Sequence, residues 1–349
     1  YSAPHAAAEL VAANRRESVI RSSIDGRLQH DLEELARRHA ASLDRDTQIA
    51  IVAIDVTHHA VRARVGGVGF ERAGGYIDMT RAIRSPGSAL KPFLYAIAFD
   101  EGLAAPETLV RDAPRRFGGY LPENFDRRFH GDVTLEDALQ HSLNLPAVAT
   151  LERIGANRFY AALTSAGADV RMPRRADAEP GLALALGGIG ITLEDLTDLY
   201  AALGDNGRAL PLSTEATGQG FVLPHRFVRD RTATRVLDIL ARSPHPAGRV
   251  PAEVAQNAPE VAFKTGTSYG FRDAWSVGVA NGYAIGVWVG RPDGAPRPGA
   301  TGREAALPIL FDAFDVLGVP QDQSRPEEQR EAPPAETPTK TPARKLRRA

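Results

Sequence analysis

The chain has 349 residues, 43% of them hydrophobic and 24% charged, which is an ordinary globular composition. Its 42 basic and 43 acidic residues leave a net charge of −1, so the overall charge gives no indication of a nucleic-acid-binding protein. There is no cysteine, which excludes disulfides, thiolate metal sites and cysteine nucleophiles. We predict neither a metal site nor a cofactor.

The N-terminal residues carry no targeting or membrane signal. The chain begins with Tyr1 rather than methionine. No stretch reaches the roughly 18 apolar residues of a membrane helix or has the pattern of a signal peptide. We therefore expect a fragment or excised domain whose native anchor or signal lies upstream. Residues 1–16 are rich in alanine and predict a linker or a frayed helix.

The first predicted elements are a strand, a helix and a hairpin. Residues 17–24 alternate apolar and polar side chains, as a half-buried strand does. Asp25 is a suitable N-cap for a helix over residues 27–42. Residues 48–55 form an almost unbroken apolar run that predicts a buried central strand, and residues 59–65 should pair with it as a hairpin.

The middle of the chain has helical periodicity, and the last third returns to strands. Four helices are predicted, over residues 88–101, 135–141, 147–154 and 193–203. Further elements are strands over residues 261–267, 273–280 and 283–289, a turn at Asn281-Gly282 and a closing helix over residues 301–317. Strands at both ends with helices between them predict one antiparallel sheet covered by helices, an α/β fold of the α+β type.

The C-terminal composition differs from that of the rest of the chain. From residue 321 onward, prolines stand among Glu, Gln, Thr and Ala, and few apolar side chains are present. Such a segment cannot bury enough surface to fold. We therefore predict one domain over residues 17–320 and a disordered Pro-rich tail with a basic end over residues 321–349.

The first candidate motif is Ser85-Pro-Gly-Ser88-Ala-Leu-Lys91, at the start of a predicted helix. Ser88 and Lys91 are three residues apart and so share a helix face. A serine hydroxyl needs a base to become a nucleophile, and a lysine partly withdrawn from water has a lowered pKa and can be that base. Alone, the pair is weak evidence, because it usually forms an exposed cap and a solvated lysine.

Two further motifs follow along the chain. In Ser142-Leu-Asn144 the hydroxyl can relay a proton to a leaving amine, and the amide can donate to a substrate carbonyl or hold Lys91. Alone, Ser-x-Asn before proline is mostly a helix or turn cap. Lys264-Thr-Gly266-Thr-Ser268 lies in a predicted strand, where a glycine lets a substrate backbone approach closely and the neighbouring cation and hydroxyls suit a carboxylate.

The three motifs in this order, on a helix, a loop and a strand, are typical of penicillin-binding proteins and class A β-lactamases. More widely, residues 20–318 resemble the class A high-molecular-weight penicillin-binding proteins, and most closely their 1C subclass. Besides the motifs themselves, the resemblance is carried by residues 20–29, 122–126, 185–192 and 264–275.

The resemblance implies a role for each site residue. Ser88 would attack the penultimate D-Ala carbonyl of a peptidoglycan stem peptide, with Lys91 as the base for acylation. Ser142 would pass a proton to the departing D-Ala, and Asn144 and Lys264 would complete the network. The other implied contacts are the oxyanion hole, from the backbone N–H groups of Ser88 and Thr267, and the substrate-binding residues Thr265, Gly266, Thr267 and Ser268.

The resemblance also implies fold, partners and location. The fold would be the β-lactamase/DD-peptidase-like transpeptidase fold, with a five-stranded antiparallel sheet and an all-helical subdomain. The partners would be stem peptides, as D-Ala-D-Ala donor and amine acceptor, and β-lactams, at the periplasmic face of the bacterial inner membrane. A glycosyltransferase module precedes the transpeptidase in class A proteins, so we expect cross-linking but not polymerisation from these residues.

Alternatives remain open at this point. A serine β-lactamase would share the fold but would need a carboxylate base for deacylation, for which Glu179 is the candidate. A non-catalytic β-lactam sensor or scaffold would share Ser88 and Lys91 and would be acylated without making cross-links. Transfer of the acyl group to water, which is D-Ala-D-Ala carboxypeptidase activity, could accompany transpeptidation.

Overall fold

The structure, a computed structural model, describes residues 2–173, 180–215, 223–246, 248–249 and 259–318. The helices are α1 (Pro4–Ala13), α2 (Gly26–Ala40), α3 (Lys91–Asp100), α4 (Leu135–Gln140), α5 (Asn144–Ile154), α6 (Ala156–Ser165), α7 (Leu193–Gly204), α8 (Asp230–Ala241) and α9 (Leu307–Leu317). The strands are β1 (Gln48–Asp55), β2 (Ala60–Val65), β3 (Leu109–Asp112), β4 (Gly131–Thr134), β5 (Arg208–Ala209), β6 (His225–Arg226), β7 (Ala262–Thr267), β8 (Asp273–Ala280) and β9 (Tyr283–Gly290). Short helical turns cover Gly87–Leu90, Leu182–Leu186 and Gly302–Ala306.

A five-stranded antiparallel sheet organises the molecule, with the strand order β2-β1-β9-β8-β7. The predicted hairpins β1–β2 and β8–β9 are both present, and Asn281 and Gly282 of the second turn have φ values of 53° and 77°. β1 is buried on both faces of the sheet. Ile49, Ile51 and Ala53 enter one hydrophobic core and Ala50, Val52 and Ile54 the other. This double burial explains the unbroken apolar run.

Helices cover the sheet on both faces. α2 and α9 pack on one face and against each other, and α7 packs on the other face across β1, β8 and β9. Asp25 caps α2 as predicted, since its carboxylate accepts from the backbone N–H groups of Arg27 at 2.9 Å and Leu28 at 3.0 Å. The predicted sheet covered by helices is confirmed.

A mainly helical region continues from the α7 face of the sheet. α3 is buried along its length from Lys91 to Ala98 and contacts α5 and α8. This region is not entirely helical, because β3 and β4 form a short antiparallel ribbon within it. The sequence did not predict this ribbon, since each strand has only four residues and neither shows a buried alternation. Helices α6 and α8 were not predicted either.

The N-terminal part differs from the prediction in one element. The predicted strand over residues 17–24 is wrong, because this stretch only forms a single isolated bridge, between Ser22 and Glu215. Its alternating residues do not line a core, and Val19 is 71% exposed. Before it, the Ala-rich residues 1–16 contain α1, in which His5 bonds the Gly75 carbonyl at 2.9 Å. The tail over residues 321–349 lies outside the described residues.

Candidate active site

Ser88 lies in the helical turn Gly87–Leu90 that leads directly into α3, and it is half-buried. This turn packs against β7 at backbone distance. A Cβ atom on Gly266 would lie 2.2 Å from the Pro86 carbonyl oxygen, and one on Gly87 would lie 2.4 Å from the Thr267 carbonyl oxygen. The close approach that Gly266 allows here is therefore to the chain's own backbone, and it places the Ser88 turn beside the third motif.

Lys91 is fully buried in the first turn of α3. Its Nζ donates to the Ser142 carbonyl at 2.7 Å, the Leu143 carbonyl at 3.0 Å and Asn144 Oδ1 at 2.7 Å. These acceptors can occupy the three N–H groups of an ammonium. Among the described residues the Ser88 hydroxyl has no hydrogen-bond partner, so the two residues share a helix face without a direct bond.

Ser142 occupies the turn between α4 and α5 in a left-handed backbone conformation, with φ of 58°. A non-glycine residue is strained in this region, and such strain is often found at functional sites. The hydroxyl accepts from Lys264 Nζ at 2.8 Å and lies 3.4 Å from Lys91 Nζ. Lysines from α3 and β7 therefore converge on one hydroxyl.

Both lysines have lowered pKa values. Burial is the main cause for Lys91, whose pKa lies well below its ordinary value; the Lys264 charge lowers it further and the Asp112 carboxylate opposes the shift. Burial, with a smaller effect of Arg303, lowers the pKa of Lys264 to about 7. The carbonyl and amide acceptors around Lys91 favour its ammonium, but the burial of two like charges is the larger effect. The pair can therefore lose a proton near neutral pH.

The hydroxyls of the third motif have different surroundings. Thr265 and Thr267 are half-buried, and Thr267 Oγ1 accepts from the backbone N–H of Gly302 at 2.9 Å. Ser268 is instead buried, and its hydroxyl donates to Asp273 Oδ2 at 2.7 Å and accepts from the Asp273 N–H at 2.9 Å. The Ser268 hydroxyl therefore shapes the turn after β7, and the predicted substrate contact of Ser268 stays a prediction.

Some residues that build the site were missed from the sequence. Asn124 Oδ1 accepts from the Asn144 N–H at 2.7 Å, and Asn144 Nδ2 donates to the Glu123 carbonyl at 2.7 Å. The sequence did mark this segment, because residues 122–126 carry part of the family resemblance, but the sequence analysis assigned no role to them. Gly302 was also missed. The structure packs it against β7, where a Cβ atom on Gly302 would lie 2.3 Å from the Gly266 carbonyl oxygen.

Among the described residues, no group of His, Asp or Glu is arranged to hold a metal ion. None of the helices in the described residues is both long and apolar enough to cross a membrane.

Comparison with known proteins identifies the family. Residues 49–296 match the penicillin-binding protein transpeptidase domain. Penicillin-binding protein 1C of Escherichia coli K12 is 39% identical over 310 residues, which cover 88% of this chain and 39% of that protein. Penicillin-binding protein 1A of Aquifex aeolicus is 31% identical over 320 residues, which cover 84% of this chain and 41% of that protein. The chain thus spans about two fifths of these relatives.

Solved structures show the same fold. The penicillin-binding protein PonA1 of Mycobacterium tuberculosis superposes with a TM-score of 0.74 at 22% identity, covering 89% of each chain. Penicillin-binding protein 1A of Haemophilus influenzae gives a TM-score of 0.64 at 20% identity, covering 83% of this chain and 50% of that one. The predicted resemblance to the class A proteins, and to 1C in particular, is confirmed. This chain belongs to the penicillin-binding protein transpeptidase family.

Proposed function

We propose that the chain is a serine-type D-Ala-D-Ala transpeptidase that cross-links peptidoglycan stem peptides through an acyl-enzyme on Ser88. The observation that carries this proposal is the convergence of Lys91 and Lys264 on the Ser142 hydroxyl, at 3.4 and 2.8 Å, next to the Ser88 turn. Two buried lysines with lowered pKa values can accept and return a proton, which acylation and deacylation both require.

Acylation follows from this arrangement. Lys91 exchanges one of its present acceptors for the Ser88 hydroxyl and takes its proton, a rearrangement that substrate binding often completes. The serine oxygen then attacks the penultimate D-Ala carbonyl, and the backbone N–H groups of Ser88 and Thr267 stabilise the oxyanion. The C–N bond breaks, and the proton returns through Ser142 to the amine of the departing D-Ala. Thr265 and Thr267 hold the terminal carboxylate, beside Lys264.

Deacylation completes the cycle. The amine of a neighbouring stem peptide attacks the Ser88 ester and loses a proton to the lysine and serine network. The new amide is the cross-link, and Ser88 is released with its proton. Water in place of the amine would give carboxypeptidase activity. A β-lactam would acylate Ser88 in the same way and leave slowly. Stem peptides place this chemistry in the cell wall, at the periplasmic side of the inner membrane.

The alternatives differ from this proposal in the fate of the acyl-enzyme. A β-lactamase would hydrolyse it rapidly, but its candidate base, Glu179, lies outside the described residues. The family match to transpeptidase domains favours the longer-lived adduct. A sensor or scaffold would form the adduct and make no cross-links.

The test is mass spectrometry of the chain after incubation with a penicillin, followed over time. We expect a long-lived adduct on the Ser88 peptide, no adduct in Ser88→Ala, and an unchanged adduct in the control Ser165→Ala, which alters an exposed serine at the end of α6. Rapid release would indicate a β-lactamase. Incubation with donor and acceptor stem peptides should give cross-linked product, and its absence would indicate a sensor.

A further inference from the structure

Asp112 is a fully buried carboxylate at the end of β3, outside the three motifs. It accepts from Asn124 Nδ2 at 3.0 Å (Oδ1) and 2.8 Å (Oδ2), and from the His130 backbone N–H at 2.9 Å (Oδ2). No basic side chain of the described residues forms an ion pair with it. Burying a charge without an ion pair is costly, so the position of this carboxylate needs a reason.

The carboxylate determines which way the Asn124 amide points. An ionised carboxylate only accepts hydrogen bonds, so the Nδ2 of Asn124 must face Asp112. The same Nδ2 donates to the Arg128 carbonyl at 2.8 Å. The oxygen of the amide is therefore directed away from these acceptors, and it accepts from the Asn144 backbone N–H at 2.7 Å.

The next amide along is that of Asn144, at the first residue of α5. Its Nδ2 donates to the carbonyl of Glu123, the neighbour of Asn124, at 2.7 Å. Its Oδ1 is thereby left to accept from Lys91 Nζ at 2.7 Å. A reversed amide would set N–H groups against the lysine ammonium, so the function of Asn144 depends on its orientation.

Asp112 and Lys91 also interact through their charges. Lys91 faces Lys264 from β7 and Asp112 from β3, and the anion holds the Lys91 pKa higher than burial and Lys264 alone would leave it. Tyr95, one turn further along α3, is neutral, because burial and Asp112 raise its pKa far above the ordinary value. Asp112 thus acts on Lys91 through the two amides and through its charge.

We propose that Asp112 and Asn124 are positioning residues, which set the orientation of the Asn144 amide and thereby hold Lys91 in place for the acylation of Ser88. This inference rests on the proposed function. It goes beyond the three motifs, because neither residue belongs to them. The loop between β3 and β4 carries Asn124 and Glu123, so the proposal also gives that loop a part in the chemistry.

The experiment measures the rate of acylation by a fluorescent penicillin as a function of pH, with thermal unfolding as the check on folding. The variants are Asp112→Asn, Asn124→Ala, Asn144→Ala and the double variant Asn124→Ala/Asn144→Ala. The matched control is Asp126→Asn, in the same loop, because that carboxylate is 48% exposed. Among the described residues it accepts from the Arg128 N–H at 2.9 Å and lies 3.5 Å from His130 Nε2.

We expect Asp112→Asn and Asn124→Ala each to lower the acylation rate roughly 10- to 100-fold, as a displaced catalytic group does, and Asp126→Asn to leave it unchanged. Loss of the Asp112 charge should also move the acid limb of the pH profile to lower pH, because the Lys91 pKa falls. If Asn124 acts through Asn144, the double variant should lose no more than Asn144→Ala alone.

Several results would overturn the inference. Folded Asp112→Asn and Asn124→Ala variants with wild-type acylation rates would do so. So would an Asp112→Asn variant that acylates more slowly while the acid limb of its pH profile stays at the wild-type pH. If both variants lack a cooperative unfolding transition, the two residues serve folding alone. A wild-type chain without a Ser88 adduct would instead refute the proposed function, so the two failures are distinguishable.

Discussion

Lys91 and Lys264 share one acceptor, since both reach the Ser142 hydroxyl oxygen, at 3.4 and 2.8 Å. The first lysine comes from α3 and the second from β7, and both are buried. Two buried ammonium groups at one acceptor disfavour each other, so one of them gives up its proton more readily than an exposed lysine does. The exchange of a single proton around Ser142 is the feature on which the proposed reaction depends.

Replacing Lys91 with methionine should remove the proposed acylation base while keeping most of the buried volume. We expect Lys91→Met to slow acylation by a fluorescent penicillin by roughly 100-fold or more, the usual contribution of a general base. Labelling kinetics measure this, and circular dichroism checks the fold. A folded variant with a near-normal rate would remove Lys91 from the proposed role.

The free energy of unfolding should rise with pH above neutrality. Lys264 has an ordinary pKa of 10.5 and a folded pKa of about 7, so between these values the unfolded chain binds more protons than the folded one. Stability then increases with pH in this window, and Lys91 contributes in the same direction. Thermal unfolding at pH of about 7 and about 9 tests this. Lys264→Met should show a smaller increase than the wild type, and an equal increase would contradict the lowered pKa.

Gly302 should not tolerate a side chain. A Cβ there would lie 2.3 Å from the Gly266 carbonyl oxygen and 2.4 Å from that of Trp275, both rigid backbone atoms. We expect Gly302→Ala to lower the free energy of unfolding by about 1–3 kcal/mol. It should also slow acylation, because its N–H bonds Thr267.

The control for Gly302 is Gly26→Ala at the start of α2, where a Cβ would meet no atom within 4 Å. This change should leave acylation unaltered and should not destabilise the protein, since alanine favours a helix more than glycine does. Urea denaturation and labelling kinetics measure both variants. Equal stabilities for the two would argue against the packing described at Gly302.

Removal of the predicted tail should leave the site intact. All the contacts described for the site involve residues between 84 and 303. We therefore expect a chain ending at residue 320 to be acylated at the wild-type rate, measured side by side with the full chain. A slower rate would mean that residues 321–349 contribute to the site or to its folding.

Much of the fold was predictable because strong local patterns mark it. The apolar run of β1, the turn at Asn281-Gly282 and the Asp25 cap are each determined within a few residues of sequence. The β3–β4 ribbon was not predictable, since its four-residue strands bury little. The alternation in residues 17–24 predicted a strand that is absent, because no core lies against it.

The candidate site was predictable in its membership more than in its geometry. Ser88, Lys91, Ser142, Asn144 and Lys264 were all singled out from motifs. The sequence offered Asn144 as a group that can hold Lys91, and the structure shows that bond. The sequence could not tell that Lys91 also bonds the Ser142 and Leu143 carbonyls and does not bond the Ser88 hydroxyl. Nor could it tell that the Ser268 hydroxyl is bound to Asp273. Both depend on distances between segments far apart in the chain.

The sequence by itself determined the family, the order of the motifs and the residue types that can carry the chemistry. Only the tertiary structure decided how the site residues are arranged. It brings two lysines to one hydroxyl, and it links Asp112 to Lys91 by hydrogen bonds through Asn124 and Asn144. The physical reason is that a side chain's pKa and hydrogen-bond direction depend on burial and on neighbours in space, which local sequence patterns do not contain.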